Sequence, residues 1–295
     1  MSSSRLVVLM LFVLSAAACR SVPTSTASAP SAAPAIETHE NLNAVLWMQT
    51  SAEYEAAVRG VYAAARSSLD RALSDTSWSA LPEGERGDGF ETLPPAIIVD
   101  ADETMIDNSP FQARHVRDGT PFSGESWEAW VNERRALAMP GAVDFANEVQ
   151  RRGVAVYFIT NRDAPAETDS TIANLRALGF PIAADGSNVL LRGDARGPGR
   201  EKSARRRWVA GRHRVVLMLG DNLGDFMDGV SATIAQRQAL IAPYADWWGV
   251  RWFMQPNPSY GSWESALPLS CQANGAGAEA GGDPTGCKRS LLRYQ

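Results

Sequence analysis

The chain has 295 residues, 45% of them hydrophobic and 21% charged, with a formal net charge of −5 at pH 7. That length supports one large domain, or a core with a smaller attached unit. The mildly negative balance argues against nucleic acid or an acidic membrane surface as a charge-driven partner. Cations are spread along the chain except at Arg205, Arg206 and Arg207, a triplet read as the solvated face of a helix.

The first residues have the form of an export signal. Arg5 precedes an apolar run, Leu6 to Leu14, which is too short to span a bilayer as a helix. Ala16, Ala17 and Ala18 then lead into Cys19. Small residues before a cysteine resemble the bacterial lipoprotein cleavage site, with residues 1–18 removed and Cys19 lipidated. Ala16 stands where that pattern has Leu, and the other reading is ordinary cleavage after Ala18 with a free thiol. Several acyl chains would anchor the protein without a transmembrane helix, and Arg20 in place of an Asp points to the outer membrane. Residues 19–40 are then the lipidated cysteine and a Ser-, Thr-, Ala- and Pro-rich tether that lacks the apolar surface to fold.

Folded sequence begins near residue 41. Helical periodicity runs from Asn43 to Leu73, with Val45, Leu46, Tyr54, Val58, Val61, Tyr62 and Leu69 on one side. Thr50 or Ser51 caps its second helix, with Glu53 and Glu55 near the positive end. Residues 82–92 read as a loop and Ala96 to Val99 as a strand. Strand and helix then alternate: strand Val154 to Ile159, helix Ala164 to Leu178 ending at Gly179, strand Val189 to Leu191, helix Glu201 to Ala210, strand Arg214 to Leu219. This rhythm implies an α/β fold, a three-layer, Rossmann-like, mainly parallel sheet with helices on both faces. Residues 104–153 are too long for a simple crossover and include a helix from Glu125 to Leu137. They are expected to form a smaller helical cap. The expected division is a folded domain over 41–268, in which helices within 41–80 and the insert 105–140 form the helical subdomain, and an irregular tail over 269–295.

Ligands in such sheets sit beyond the carboxyl ends of the strands, where Asp100, Thr160 and Asp221 all fall. A carboxylate such as Asp100 can attack phosphorus, splitting one hard step into two. Its charge repels an anionic substrate, so a divalent cation must bridge them. Asp100, the Asp102 main-chain carbonyl and Asp221 are hard oxygen donors that suit Mg²⁺, with Asp225 a further ligand directly or through water. Asp102 lies two residues from Asp100, on the same side of an extended backbone. It can protonate the leaving oxygen and later accept a proton from water, which predicts a mildly acidic optimum. Thr160 offers a hydroxyl and a main-chain N–H to phosphoryl oxygens, and Lys202 neutralises charge growing there. His39, His115 and His213 have no metal-ligand spacing; for His115 the readings are surface placement, which is favoured, and approach to the site from the cap. Once Cys19 is used, Cys271 and Cys287 remain. Oxidising export favours a disulfide between them, worth about 3 kcal/mol, over two free thiols.

The order of Asp100, Asp102, Thr104, Thr160, Lys202, Asp221 and Asp225 resembles the haloacid dehalogenase superfamily. Residues 100–110 (DADETMIDNSP), 47–54 (WMQTSAEY), 140–145 (PGAVDF), 220–226 (GDNLGDF) and 256–264 (PNPSYGSWE) resemble, more narrowly, the class C bacterial acid phosphatases. That family comprises lipoprotein acid phosphatases and 5′-nucleotidases. The similarity covers about residues 41–266. It implies an aspartyl-phosphate mechanism with Mg²⁺, in which Asp100 is nucleophile and Asp102 acid and base. It also implies small phosphomonoester substrates, nucleoside monophosphates among them, and often a homodimer. Asn161 is carried over as a substrate contact, and Trp127 and Tyr260 as an aromatic pair that holds the nucleobase, which flat rings do with little preference among bases. Other classes of reading are a catalytically idle surface lipoprotein on the same scaffold, and phosphotransfer to an acceptor alcohol.

Overall fold

The computed structural model describes residues 39–273 and 284–294. The signal peptide 1–18, Cys19 and most of the tether lie outside the described residues. Two N-terminal helices come first, α1 (Leu42–Thr50) and α2 (Ala52–Ser74), separated by Ser51, whose side chain accepts from Tyr54 N and caps α2. The strip Tyr54, Val58, Tyr62, Ala65, Leu69 and Ala72 recurs every three or four residues and is buried along the whole of α2. Such a strip needs a broad apolar partner. It lies against the sheet and the helix Ala142–Arg151, while α1 packs on the insert. Leu46 is 45% exposed, since the nine-residue α1 buries only Val45 and Met48.

Strand β1 (Pro95–Val99) opens the core. The insert follows: β2 (Ile106–Asp107), α3 (Ser109–Asp118), α4 (Gly124–Glu133) and β3 (Leu137–Ala138), with β2 and β3 paired antiparallel. Helix α4 stops four residues short of the expected Leu137 because Arg134 takes a left-handed conformation, φ +56°. The rest is α5 (Ala142–Arg151), β4 (Ala155–Asp163), α6 (Thr168–Ala177), β5 (Val189–Arg192), α7 (Ser203–Ala210), β6 (Arg214–Gly220), α8 (Ile234–Ile241), β7 (Trp252–Met254) and α9 (Ser262–Ala273). Strand β4 runs four residues past Ile159. Pro165 delays α6, as the residue before a proline avoids helical geometry.

The main sheet has five strands in the order β5-β4-β1-β6-β7, every pairing parallel. Side chains alternate across it. Ile97, Val99, Leu217, Leu219 and Phe253 face the layer of α2 and α5, while Ala96, Ile98, Met218 and Trp252 face Val209, Phe226 and Met227 on the other side. This is the expected three-layer α/β fold. Strand β7, three residues long, is an edge the sequence reading did not foresee.

Arg205 and Arg206 are fully buried, against the expectation of a solvated face; Arg207 is exposed. Arg206 forms a two-pronged pair with Glu85 at 2.6 Å, and Arg205 donates to the carbonyl of Thr160 and to Asn161 Oδ1. The partners lie up to 121 residues away, so the triplet by itself did not reveal them. His115 is also buried, its Nδ1 3.0 Å from Thr120 Oγ1 and its ring edge-on to Phe111. The tail is more regular than expected: α9 continues to Ala273, and a helix spans Pro284–Ser290, joined to α9 by a Cys271–Cys287 disulfide. No helix among the described residues is long and apolar enough to cross a membrane.

Candidate active site

Four chain segments meet at the carboxyl edge of the sheet. Asp100 follows β1, and its N–H continues the ladder by donating to Leu219 O at 2.9 Å. Asp221 follows β6, and Asp225 closes the next tight turn. Lys202 stands at the start of α7, 4% exposed, with Nζ 2.5 Å from Asp100 Oδ1 and 2.6 Å from Asp225 Oδ1. The other Asp225 oxygen accepts from Asn222 N–H at 2.9 Å. Gly220 is required beside it, since a Cβ there would collide with the Asp225 carboxyl. Asp221 is oriented by Asn257 Nδ2 at 2.8 Å and Thr104 Oγ1 at 3.4 Å.

Carboxylate oxygens of Asp100, Asp221 and Asp225 lie within 4.8 Å of one another. Burial pushes the Asp100 carboxyl up to about 7, with Lys202 opposing that rise and Asp225 and Asp102 adding to it. Asp221 is raised well above the carboxylate range by burial, then by Asp225 and Asp100. Burial lowers the tendency of Lys202 to hold its proton, but the Asp100 and Asp225 charges outweigh it and the net shift is upward. The cluster is thus short of positive charge and built from hard oxygen donors. Both features fit a hard divalent cation.

Asp102 sits on a tight turn in which Glu103 adopts φ +50° and Met105 and Ile106 N–H both donate to Ala101 O. Its Oδ1 accepts from Asn108 Nδ2 at 2.8 Å and Arg162 Nη2 at 2.8 Å, and its Oδ2 from Thr160 Oγ1 at 3.2 Å. Thr160 is fully buried and turns its hydroxyl to Asp102 and Arg162 N–H rather than into the cavity. Asn161 is exposed and accepts from Arg205 Nη2 at 2.7 Å. Glu103 is buried too, accepting from Asn108 N–H and the Tyr260 hydroxyl. Burial, then Asp102 and Asp221, raises its carboxyl well above the usual range.

Asp100, Asp102, Asn161, Lys202, Asp221 and Asp225 line one cavity of about 980 Å³, which Trp127 and Tyr260 also border. The Arg162 guanidinium lies 5.5 Å from the Trp127 ring centroid, tying that ring to the Asp102 anchor. Trp130, three residues on, is 3% exposed and belongs to the core. The sequence reading did not single out Arg162, Asn108, Glu103 or Asn257. The one signal for Arg162 was a charged residue ending an apolar strand; the others lie inside strings that were matched as a whole.

A family model described as HAD superfamily, subfamily IIIB (acid phosphatase) matches residues 10–263. Two solved structures of the class C acid phosphatase from Bacillus anthracis are similar. One has TM-score 0.70 and 31% identity, covering 86% of this chain and 97% of that one. The other, with tungstate bound, has TM-score 0.71 and 31% identity, covering 88% and 99%. Acid phosphatase 1 of Solanum lycopersicum is 30% identical over 96 residues, 32% of this chain, and the match spans about a third (36%) of the tomato protein.

Proposed function

Because the chain belongs to the acid phosphatases of HAD superfamily subfamily IIIB, we propose that it hydrolyses phosphomonoesters, nucleoside 5′-monophosphates included, through an aspartyl-phosphate on Asp100. One observation carries this reading: buried Asp100 meets Lys202, Asp221 and Asp225 at the sheet edge, while Asp102 stands two residues away on its own anchor. The tungstate held by one relative is a tetrahedral oxyanion, the shape of the phosphate that hydrolysis releases.

In this mechanism an Asp100 oxygen attacks phosphorus as the bond to the ester oxygen breaks, and Asp102 gives that oxygen a proton. Lys202 balances charge on the phosphoryl oxygens. Asp102, now ionised, takes a proton from the water that attacks the aspartyl-phosphate, which releases phosphate and restores both side chains. Asp100, Asp221 and the Asp102 carbonyl would hold Mg²⁺, with Asp225 a further ligand directly or through water. When bound, the ion supplies the charge that lets an anionic ester approach a carboxylate. Trp127 and Tyr260 border the cavity with flat rings suited to a base, and Asn161 is placed at its exposed rim. Outside the described residues, Cys19 carries the lipid of an exported, outer-membrane protein, and a homodimer completes the proposal.

The test is phosphate release from AMP and p-nitrophenyl phosphate, with Mg²⁺ and with EDTA. Release that depends on Mg²⁺ and vanishes in Asp100→Asn, with an unchanged circular-dichroism spectrum, is the expected result. Substantial turnover by Asp100→Asn would remove the nucleophile assignment.

A further inference from the structure

We infer that Asn108 is a positioning residue for Asp102, fixing the direction in which that carboxyl meets the leaving oxygen; this rests on the acid role proposed for Asp102. Asn108 precedes α3 at the N-cap, where an Asn side chain ordinarily accepts from backbone N–H groups of the first turn. It makes no such bond here. The side chain is fully buried and turned toward the turn that carries Asp102.

Its orientation is fixed by chemistry. Oδ1 accepts from Trp130 Nε1 at 2.8 Å and from Arg162 Nη2 at 3.4 Å. An indole N–H and a guanidinium can only donate, so the end of the amide facing them must be oxygen. The NH₂ end then faces the carboxylates, donating to Asp102 Oδ1 at 2.8 Å and reaching Glu103 Oε2 at 3.5 Å. Arg162 grips the same Asp102 oxygen, but a guanidinium is charge as well as geometry. The planar amide, pinned by the core indole of Trp130, adds direction without adding charge. A hydrogen bond that sets the angle of a proton donor matters most where proton donation is hardest.

That gives the test a readout that packing alone does not move. A nucleotide's ribose oxygen is a poor leaving group and needs the acid's proton; p-nitrophenolate leaves without much help. Full-length Asn108→Asp and Asn108→Ser, with Mg²⁺, should lose about 10- to 100-fold in kcat/KM on AMP but under about 3-fold on p-nitrophenyl phosphate, since kcat/KM reports only the steps through loss of the leaving group and not the later attack of water that both substrates share. Trp130→Phe, which removes the indole N–H that orients the amide while keeping an aromatic ring in the core, should show a weaker form of the same split and serves if the Asn108 variants do not fold. Asp102→Asn is the reference. If it discriminates by leaving group while the Asn108 and Trp130 variants lower both substrates equally, or neither, the positioning role is overturned. If Asp102→Asn itself does not discriminate, the acid role falls instead.

Discussion

At the scale of single residues, Asp100 and Asp225 share the ammonium of Lys202 at 2.5 and 2.6 Å, and all three side chains are nearly out of water. Buried opposite charges repay their desolvation only when paired, and removing one partner leaves the rest uncompensated. Lys202→Met at pH 7 is therefore expected to cost about 3–5 kcal/mol of folding stability as well as turnover. Thermal melts beside phosphate-release assays check it, and a variant as stable as the parent would count against a charge-balancing role. Asp100 and Asp221 were legible as candidates because each follows an apolar run, and Lys202 because it stands near a helix start in the same order of groups. Arg206 was not. Its guanidinium is matched by Glu85, far along the chain, so nothing local distinguishes it from its exposed neighbour Arg207.

Among the elements, β1, β6 and α7 carry the cluster, while α9 and the helix Pro284–Ser290 lie after it in the chain. The Cys271–Cys287 disulfide links these two late helices across a separation of 16 residues. Closing a loop of that size removes unfolded-chain entropy worth about 3 kcal/mol. Cys287→Ser is expected to lower the melting temperature and leave kcat on p-nitrophenyl phosphate unchanged, since α9 supports the cluster at its first residue, Ser262, whose hydroxyl donates to Asn222, while Cys271 lies near its other end. A loss of kcat at intact fold would show that the tail shapes the site. Core strands were legible from short apolar runs, whereas α4 overran by four residues because no residue type announced the left-handed Arg134. Strand β7 was missed because three residues carry no periodicity.

For the whole molecule, the sheet brings together more negative charge than Lys202 balances. Asp100, Glu103 and Asp221 all hold protons more tightly in the fold than carboxyls do in water, burial being the first cause. A raised folded pKa contributes stability that is fully present below the unfolded value of about 4, and it is lost as pH climbs through the value of about 7 for Asp100. Metal-free protein is thus expected to melt progressively lower from pH 5 to pH 8, and Mg²⁺ to raise the melting temperature more at pH 8 than at pH 5, because the cation replaces protons. Differential scanning calorimetry with and without EDTA decides this; a metal-free melt that rises across the range would contradict it. The α/β alternation and the carboxylates that follow the patterns of β1 and β6 were settled by sequence alone, since periodicity and strand ends are local properties. Which buried cation meets which anion, where Thr160 sends its hydroxyl and what orients Asp102 were decided only by tertiary structure. Those contacts join residues up to 121 positions apart, whose separation in space depends on the packing of the whole sheet.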